Sequence, residues 1–297
     1  RDGRKMAGGL SGILLVDKPA GWTSHDVVSK LRRITGQRRI GHSGTLDPMA
    51  TGLLVVFLGR ATRAVEFAEG HDKAYNALLR PGLTTDTLDT TGTVLETSPE
   101  RPTRAALEAA LGAFRGDIEQ LPPMYSAIKQ NGKKLYEIAR AGGEVERKPR
   151  HVTIYRLDCT GERKDGDFEL EVECSKGTYI RTLCDDIGRE LGCGACMSGL
   201  RRTRAGGFDV RDALKLEEIE QRGAADCLLP VDALFAGRPS LLIKDARTEK
   251  ALRNGLDVKL EADFEGECRV YSRNREFLLF GAVKDGVLHT IKSFFEV

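Results

Sequence analysis

The sequence has no hydrophobic run long enough to cross a membrane, since nothing in it approaches the roughly eighteen consecutive apolar residues of a spanning helix. Its first residues, Arg1-Asp2-Gly3-Arg4-Lys5-Met6, lack the apolar stretch of a secretory signal and read as a few exposed, disordered residues. Neither sign of charge prevails: 46 Lys and Arg face 44 Asp and Glu, so net charge neither marks nor excludes a polyanionic partner. Internal repeats and low-complexity tracts are absent, which excludes a solenoid. No Gly-rich dinucleotide or phosphate fingerprint occurs, and no Ser-His-Asp or Cys-His arrangement is assignable from local sequence. The seven cysteines are odd in number and sit mostly in apolar contexts, which favours reduced thiols and a cytoplasmic setting over a disulfide framework. Only Cys193 and Cys196 have metal-like spacing, and without a second pair or nearby histidines a metal is not expected.

What is present describes an ordinary globular protein. At 297 residues, 40% of them apolar and 30% charged, the chain has room for a large catalytic domain and a small accessory one. Ile13 to Val16 reads as a strand stopped at Asp17-Lys18-Pro19-Ala20-Gly21. Ser24 is placed to cap a helix with Val27, Leu31 and Ile34 on one face. Leu53 to Leu58 reads as a buried central strand, and Thr103 caps a helix carrying Leu107, Leu111 and Phe114. Residues 152–159 and 168–174 read as paired strands, the second alternating Phe168, Leu170, Val172 and Cys174. A helix with Ile180, Leu183, Ile187 and Leu191 follows, closed by Gly192. The irregular order of strands and helices predicts an α+β domain. The pattern changes near Gly237-Arg238-Pro239. Three strand-like runs beyond it predict a mostly β domain over 239–297, after a catalytic domain over 10–238.

Basic residues fall in three clusters: Lys30 to Arg39, Lys129 to Arg150, and Arg201, Arg202 and Arg204. Each alone fits a solvated face, while the three together favour a nucleic-acid partner.

Two segments carry the chemistry. Gly41 to Gly52, with Asp47-Pro48 inside it, is a glycine-punctuated loop leading into a hydrophobic strand. It either holds one carboxylate in a fixed place or is an Asp-Pro turn with Asp47 bonded to its own backbone. Ser175 to Asp186 runs from a strand through a glycine into a helix start, a junction that offers N–H groups to an anion. Tyr179 and Arg181 supply an aromatic face and a guanidinium there, although core packing and an Arg181–Asp185 pair are equally compatible. Tyr75, entering a strand after Asp72-Lys73, is a stacking platform or a core tyrosine. His42 is a loop hydrogen-bonder by default.

Taken together these segments resemble the TruB family of tRNA pseudouridine-55 synthases. The resemblance rests on Lys18-Pro19-Ala20-Gly21-Trp22-Thr23-Ser24, Gly41 to Gly52, Lys73-Ala74-Tyr75, Gly116 to Lys129, Ser175 to Leu183, and Leu200-Arg201-Arg202, and spans about Gly12 to Asp232. It implies a pseudouridine synthase fold with a mixed, largely antiparallel sheet, and more weakly a PUA-like RNA-binding tail from Pro239. It assigns catalysis to Asp47, with Tyr75 stacking on the uracil and Arg181 holding Asp47 ionised. His42, Tyr179 and Leu200 would line the site of the flipped nucleotide, and Lys18 would shape the pocket. An insertion at about 121–150 would clamp the T arm of tRNA. No cofactor, metal, membrane or obligatory protein partner is implied, and a monomer suffices. Ser43 stands where bacterial members often carry Thr, a feature shared with guide-RNA-dependent rRNA enzymes. That branch and a non-catalytic tRNA-remodelling protein are the alternatives.

Overall fold

The computed structural model describes residues 9–124, 129–130, 133–134 and 147–295. Most of the segment at about 121–150, the expected RNA clamp, lies outside the described residues. The chain begins with β1 (Gly12–Lys18), a helix (Ser24–Thr35), β2 (Ile40–Ser43), β3 (Thr51–Leu58) and β4 (Lys73–Pro81). A small hairpin of β5 (Leu83–Thr85) and β6 (Val94–Thr97), a helix (Arg104–Leu111) and β7 (Gly116–Gln120) follow. Next come β8 (Lys129–Gln130), β9 (Lys133–Lys134), β10 (Arg150–Glu162), β11 (Phe168–Cys174), the helix Ile180–Glu190, β12 (Ala195–Ala205) and β13 (Phe208–Asp209).

These strands build a nine-stranded sheet ordered β1-β3-β12-β4-β11-β10-β7, with β2 on β3 and β13 on β12. Its contacts are antiparallel except β12 on β3, which sets Arg201 opposite Thr51 and Arg202 opposite Gly52. That parallel contact lies where the Asp47 segment enters β3. Gly52 is required there: its φ is +98°, and a Cβ would stand 2.3 Å from the Arg202 carbonyl oxygen.

β3 is apolar without alternation because both its faces are covered. Leu54, Val56 and Leu58 pack with Val27 and Leu31 of the helix Ser24–Thr35. Leu53, Val55 and Phe57 pack on the other side in a cluster with Phe235, Phe280 and Phe294. β11 alternates as predicted, its inward residues meeting Leu183 and Ile187.

Two local expectations change. Thr23, not Ser24, caps the first helix: its hydroxyl accepts from the Asp26 N–H while the Asp26 carboxylate accepts from the Thr23 N–H, a reciprocal box. The Gly41–Gly52 segment is also less of a loop than its glycines suggest. Residues through Ser43 pair with β3, and the irregular part starts at Gly44.

Beyond Gly237, β14 (Ser240–Leu242), β15 (Val258–Lys259), β16 (Gly266–Tyr271), β17 (Phe277–Lys284) and β18 (Val287–Ser293) form a second sheet ordered β14-β16-β17-β18-β15. Phe280 of β17 stacks on Phe235 at 4.1 Å, with Phe67 edge-on to both.

Candidate active site

Asp47 lies in a turn, but its carboxylate is turned away from its own backbone. The Ala50 N–H donates to its carbonyl oxygen at 3.0 Å, closing the turn that the Asp-Pro pair predicts. Its carboxylate meanwhile faces Arg181, with Nε at 2.9 Å from Oδ2 and Nη2 at 3.2 Å from Oδ1. This is the bidentate fork geometry that makes arginine–carboxylate pairs strong. The alternative partner of Arg181 is occupied elsewhere, because Asp185 pairs with Arg189 at 2.7 Å.

Arg181 is only 6% exposed and also donates to the Thr87 carbonyl oxygen at 3.2 Å. Beyond that lies Asp89, 3.8 Å from Nη1, a buried carboxylate accepting from the Thr87 hydroxyl and the Thr91 N–H. The guanidinium thus sits between two acids. Burial pushes the Asp47 carboxyl above its ordinary range, Arg181 opposes that, and Asp89 adds to it. The net direction is upward because desolvation outweighs the ion pair.

Lys18 is fully buried at the end of β1. Its ammonium donates to the carbonyl oxygens of Pro19 and Trp22 at 2.9 and 2.6 Å and of Pro48 at 3.3 Å. It thereby pins the proline–glycine turn to the residue after Asp47, and the Gly21 N–H adds a bond to Pro48. Burial brings its pKa down to about 8, with Asp47 pulling the other way.

Tyr75 on β4 lies in the main core cluster and stands opposite Arg202 across β12. Burial pushes its pKa up, and the nearby Arg202 charge opposes that. His42 on β2 is half-buried, its Nδ1 buried without a hydrogen-bond partner among the described residues. Burial and the Arg202 charge push its pKa down, so the ring is neutral at physiological pH. Leu200 is half-buried against the main core two residues before Arg202. Tyr179 immediately precedes the helix that carries Arg181. The Gln120 side chain grips its backbone reciprocally, accepting from the N–H at 3.0 Å and donating to the carbonyl at 3.2 Å. One donor that the sequence offered to an anion is therefore already used.

Three contributors escape local sequence reading. Ser24 donates to the Leu46 carbonyl oxygen and accepts from the Leu46 N–H at 2.9 Å, fixing the residue before Asp47. Asp89 gives Arg181 a second acid. Arg202, 1% exposed, donates from Nε to the Leu53 carbonyl at 2.7 Å and from Nη2 to the Gly44 carbonyl at 3.0 Å. One guanidinium thus ties together both flanks of the Asp47 segment. The expectation that the Arg201, Arg202 and Arg204 cluster is a solvated face therefore fails at Arg202. Arg202 is interior, while Arg201 and Arg204 are engaged by Asp17 and Glu173 at 2.8 and 2.7 Å.

Comparison with known proteins places the chain in a family. The family description "TruB family pseudouridylate synthase (N terminal domain)" matches residues 32–180, and "tRNA pseudouridylate synthase B C-terminal domain" matches 181–236. The chain belongs to the TruB family of pseudouridylate synthases. Among its TruB relatives, the protein named tRNA pseudouridine synthase B of Azoarcus sp. (strain BH72) is 46% identical over 94% of this chain and 93% of its own length. Its namesake in Clostridium kluyveri is 40% identical over 96% of this chain and all of that one. Of solved structures, a chain in a Cbf5-Nop10-Gar1 complex superposes with a TM-score of 0.72 at 26% identity. That match covers 96% of the TruB chain here and 85% of the other. A chain of an H/ACA RNP bound to a substrate RNA containing 2'-deoxyuridine gives 0.71 at 23% identity and equal coverage, which speaks to the fold alone.

Proposed function

We propose that this chain isomerises uridine 55 in the T loop of tRNA to pseudouridine, with Asp47 as the carboxylate that acts on the nucleotide. The observation that carries the reading is the Asp47–Arg181 pair, held by buried side chains from several elements beside Tyr75. The relatives named tRNA pseudouridine synthase B, near full length at 40 and 46% identity, support the substrate.

The reaction breaks N1–C1′ and forms C5–C1′, while the C5 proton leaves and N1 gains one. Electrons balance within the nucleotide, so the step calls for no redox cofactor. A carboxylate acting covalently, or one stabilising a cationic sugar, suits it. The uridine must first leave the folded loop. Tyr75, Tyr179 and Leu200 form the receiving surface in this reading, and His42 lines it, its buried Nδ1 without a partner among the described residues. Lys18 shapes the pocket through the Pro48 carbonyl. Residues 10–238 form the catalytic domain and 239–297 a PUA-like RNA-binding domain. The protein works as a cytoplasmic monomer on the T arm, without a guide RNA or protein partner.

The test uses purified chain and an isolated T-arm stem-loop. Wild type forms pseudouridine there, and Asp47→Asn abolishes product while leaving RNA binding within about twofold. Full activity of D47N ends the catalytic assignment. Absence of wild-type turnover without added guide RNA ends the stand-alone reading.

A further inference from the structure

β7 forms an outer edge of the nine-stranded sheet, and its residues Gly116 to Glu119 are exposed or half-buried. The last one, Gln120, is 1% exposed, so this strand buries an amide where an apolar side chain would be expected. A buried amide needs its donor and its acceptor met. Gln120 meets both on a single residue. Its Oε1 accepts from the Tyr179 N–H at 3.0 Å and its Nε2 donates to the Tyr179 carbonyl oxygen at 3.2 Å. Tyr179 is extended there, so its N–H and carbonyl face the same side, as they would toward a neighbouring strand. The amide takes the place of that strand.

The grip falls where the helix Ile180–Glu190 begins. A helix start leaves N–H groups without partners inside the helix, and a short polar side chain at the cap commonly meets one of them. Here the cap position holds Tyr179, whose side chain makes no capping bond. Gln120 braces the position from another strand. The same Tyr179 carbonyl oxygen accepts the first helical bond, from the Leu183 N–H at 3.0 Å. A second tie adjoins it, the Thr182 hydroxyl donating to the Leu121 carbonyl oxygen at 3.4 Å. Upstream, the Ser175 N–H donates to the Thr153 carbonyl oxygen and the Ser175 hydroxyl accepts from the Thr153 N–H, both at 2.9 Å. The loop between β11 and the helix is thus anchored at both ends, and Arg181 follows the Gln120 anchor by two residues.

We propose that Gln120 is a positioning residue for the reaction, its amide setting where the Tyr179 backbone and the Arg181 side chain stand relative to Asp47. The proposal rests on the uridine reading above for the reaction that this geometry serves. Arg181 meets Asp47 through a two-pronged contact at 2.9 and 3.2 Å, which tolerates little displacement. Misplacing a positioned group by about 1 Å can cost on the order of 10²-fold in rate. Glutamine supplies a donor and an acceptor side by side, and methionine of similar length supplies no donor.

The test compares wild type, Gln120→Met and Gln120→Glu on a T-arm stem-loop at a temperature well below melting. The Arg181 Nε–H resonance is followed by NMR in the RNA-free protein and assigned by its loss in Arg181→Met. Gln120→Met lowers the single-turnover rate about tenfold or more, while Kd for the RNA stays within about twofold. It also shifts the Arg181 resonance and moves the acid limb of kcat/KM to higher pH, because a displaced guanidinium stabilises the Asp47 anion less. Gln120→Glu keeps an acceptor for the Tyr179 N–H but has a donor only while its carboxyl is protonated. Its strand neighbours Glu119 and Arg150 are exposed, so burial governs that proton. The rate of Gln120→Glu relative to wild type therefore recovers as pH falls, and this variant carries the test if Gln120→Met fails to fold. A lowered melting temperature with rate, acid limb and resonance unchanged overturns the proposal, as does a loss confined to Kd. Absence of wild-type turnover would instead defeat the uridine reading, while the resonance still decides whether Gln120 holds Arg181.

Discussion

Arg181 lies between two carboxylates, so its position governs how Asp47 titrates. Burial favours the neutral acid and Arg181 favours the anion, with the net direction upward. If Asp47 works ionised, activity falls as pH drops through a pKa lying above the ~3.9 of a free aspartate. Removing the cation takes away the opposing effect, so Arg181→Met moves the acid limb of kcat/KM to higher pH, by about one unit or more. Profiles of wild type and R181M on one RNA check this, and an unmoved limb means that the titrating group is not Asp47. Arg202 makes a different prediction because it carries no carboxylate partner among the described residues and acts through carbonyl oxygens. Arg202→Met strands the Leu53 and Gly44 carbonyls, costing about 2–6 kcal/mol at roughly 1–3 kcal/mol per buried unsatisfied group. Urea unfolding measures the loss. Arg202→Lys restores charge without the fork and recovers only part of it.

At the scale of elements, the sequence states periodicity well and partners poorly. β3 and β11 are legible because burial on two faces or on one writes a continuous or alternating pattern into the residues themselves. The helix Ile180–Glu190 is legible through its apolar face and Gly192. Thr23 displaced Ser24 as the cap because Asp26 stands three residues on and completes a box, a signal present in the sequence. Nothing local could show that the freed Ser24 hydroxyl would grip Leu46, or that Arg181 would choose Asp47, 134 residues away, over Asp185. The interior place of Arg202 was hidden for the same reason: its partners lie about 150 residues upstream, and local context shows only a basic run. Family resemblance named Asp47 and Arg181, and the geometry adds what holds them. The crossing of β12 on β3 is where this holding is most exposed to change. A Cβ at Gly52 would meet the Arg202 backbone, which has no flexible end to yield, and the φ of +98° is strained for alanine. Gly52→Ala therefore lowers stability by about 1–3 kcal/mol from strain alone and reduces kcat at least tenfold by shifting Arg202 and the Asp47 segment together. Thermal melting and single-turnover kinetics read the two effects. A loss of stability with full kcat breaks the link between that crossing and catalysis.

Across the whole molecule, the two sheets share a core. Phe280 of the second sheet is 2% exposed, stacks on Phe235 and meets Phe67, in a cluster that also includes Leu53, Val55 and Phe57 of β3. Lys292 adds an ion pair to Glu66 across the same boundary, partly exposed and therefore a minor contributor. An aromatic contact continuous with the strand that follows Asp47 predicts that the sheets unfold together. Small proteins without separable cores melt in one cooperative step, whereas loosely joined domains melt in two. Calorimetry of the wild type should give one transition with equal calorimetric and van't Hoff enthalpies. Phe280→Ala removes the stacking ring and leaves a cavity between the sheets, costing about 3–5 kcal/mol. Because that loss falls on the boundary, the variant should show the second sheet melting first, ahead of a transition that keeps most of the enthalpy. A single transition merely lowered in temperature would place the weld elsewhere in the shared core. Two transitions already present in the wild type would mean that the aromatic contact does not couple the sheets.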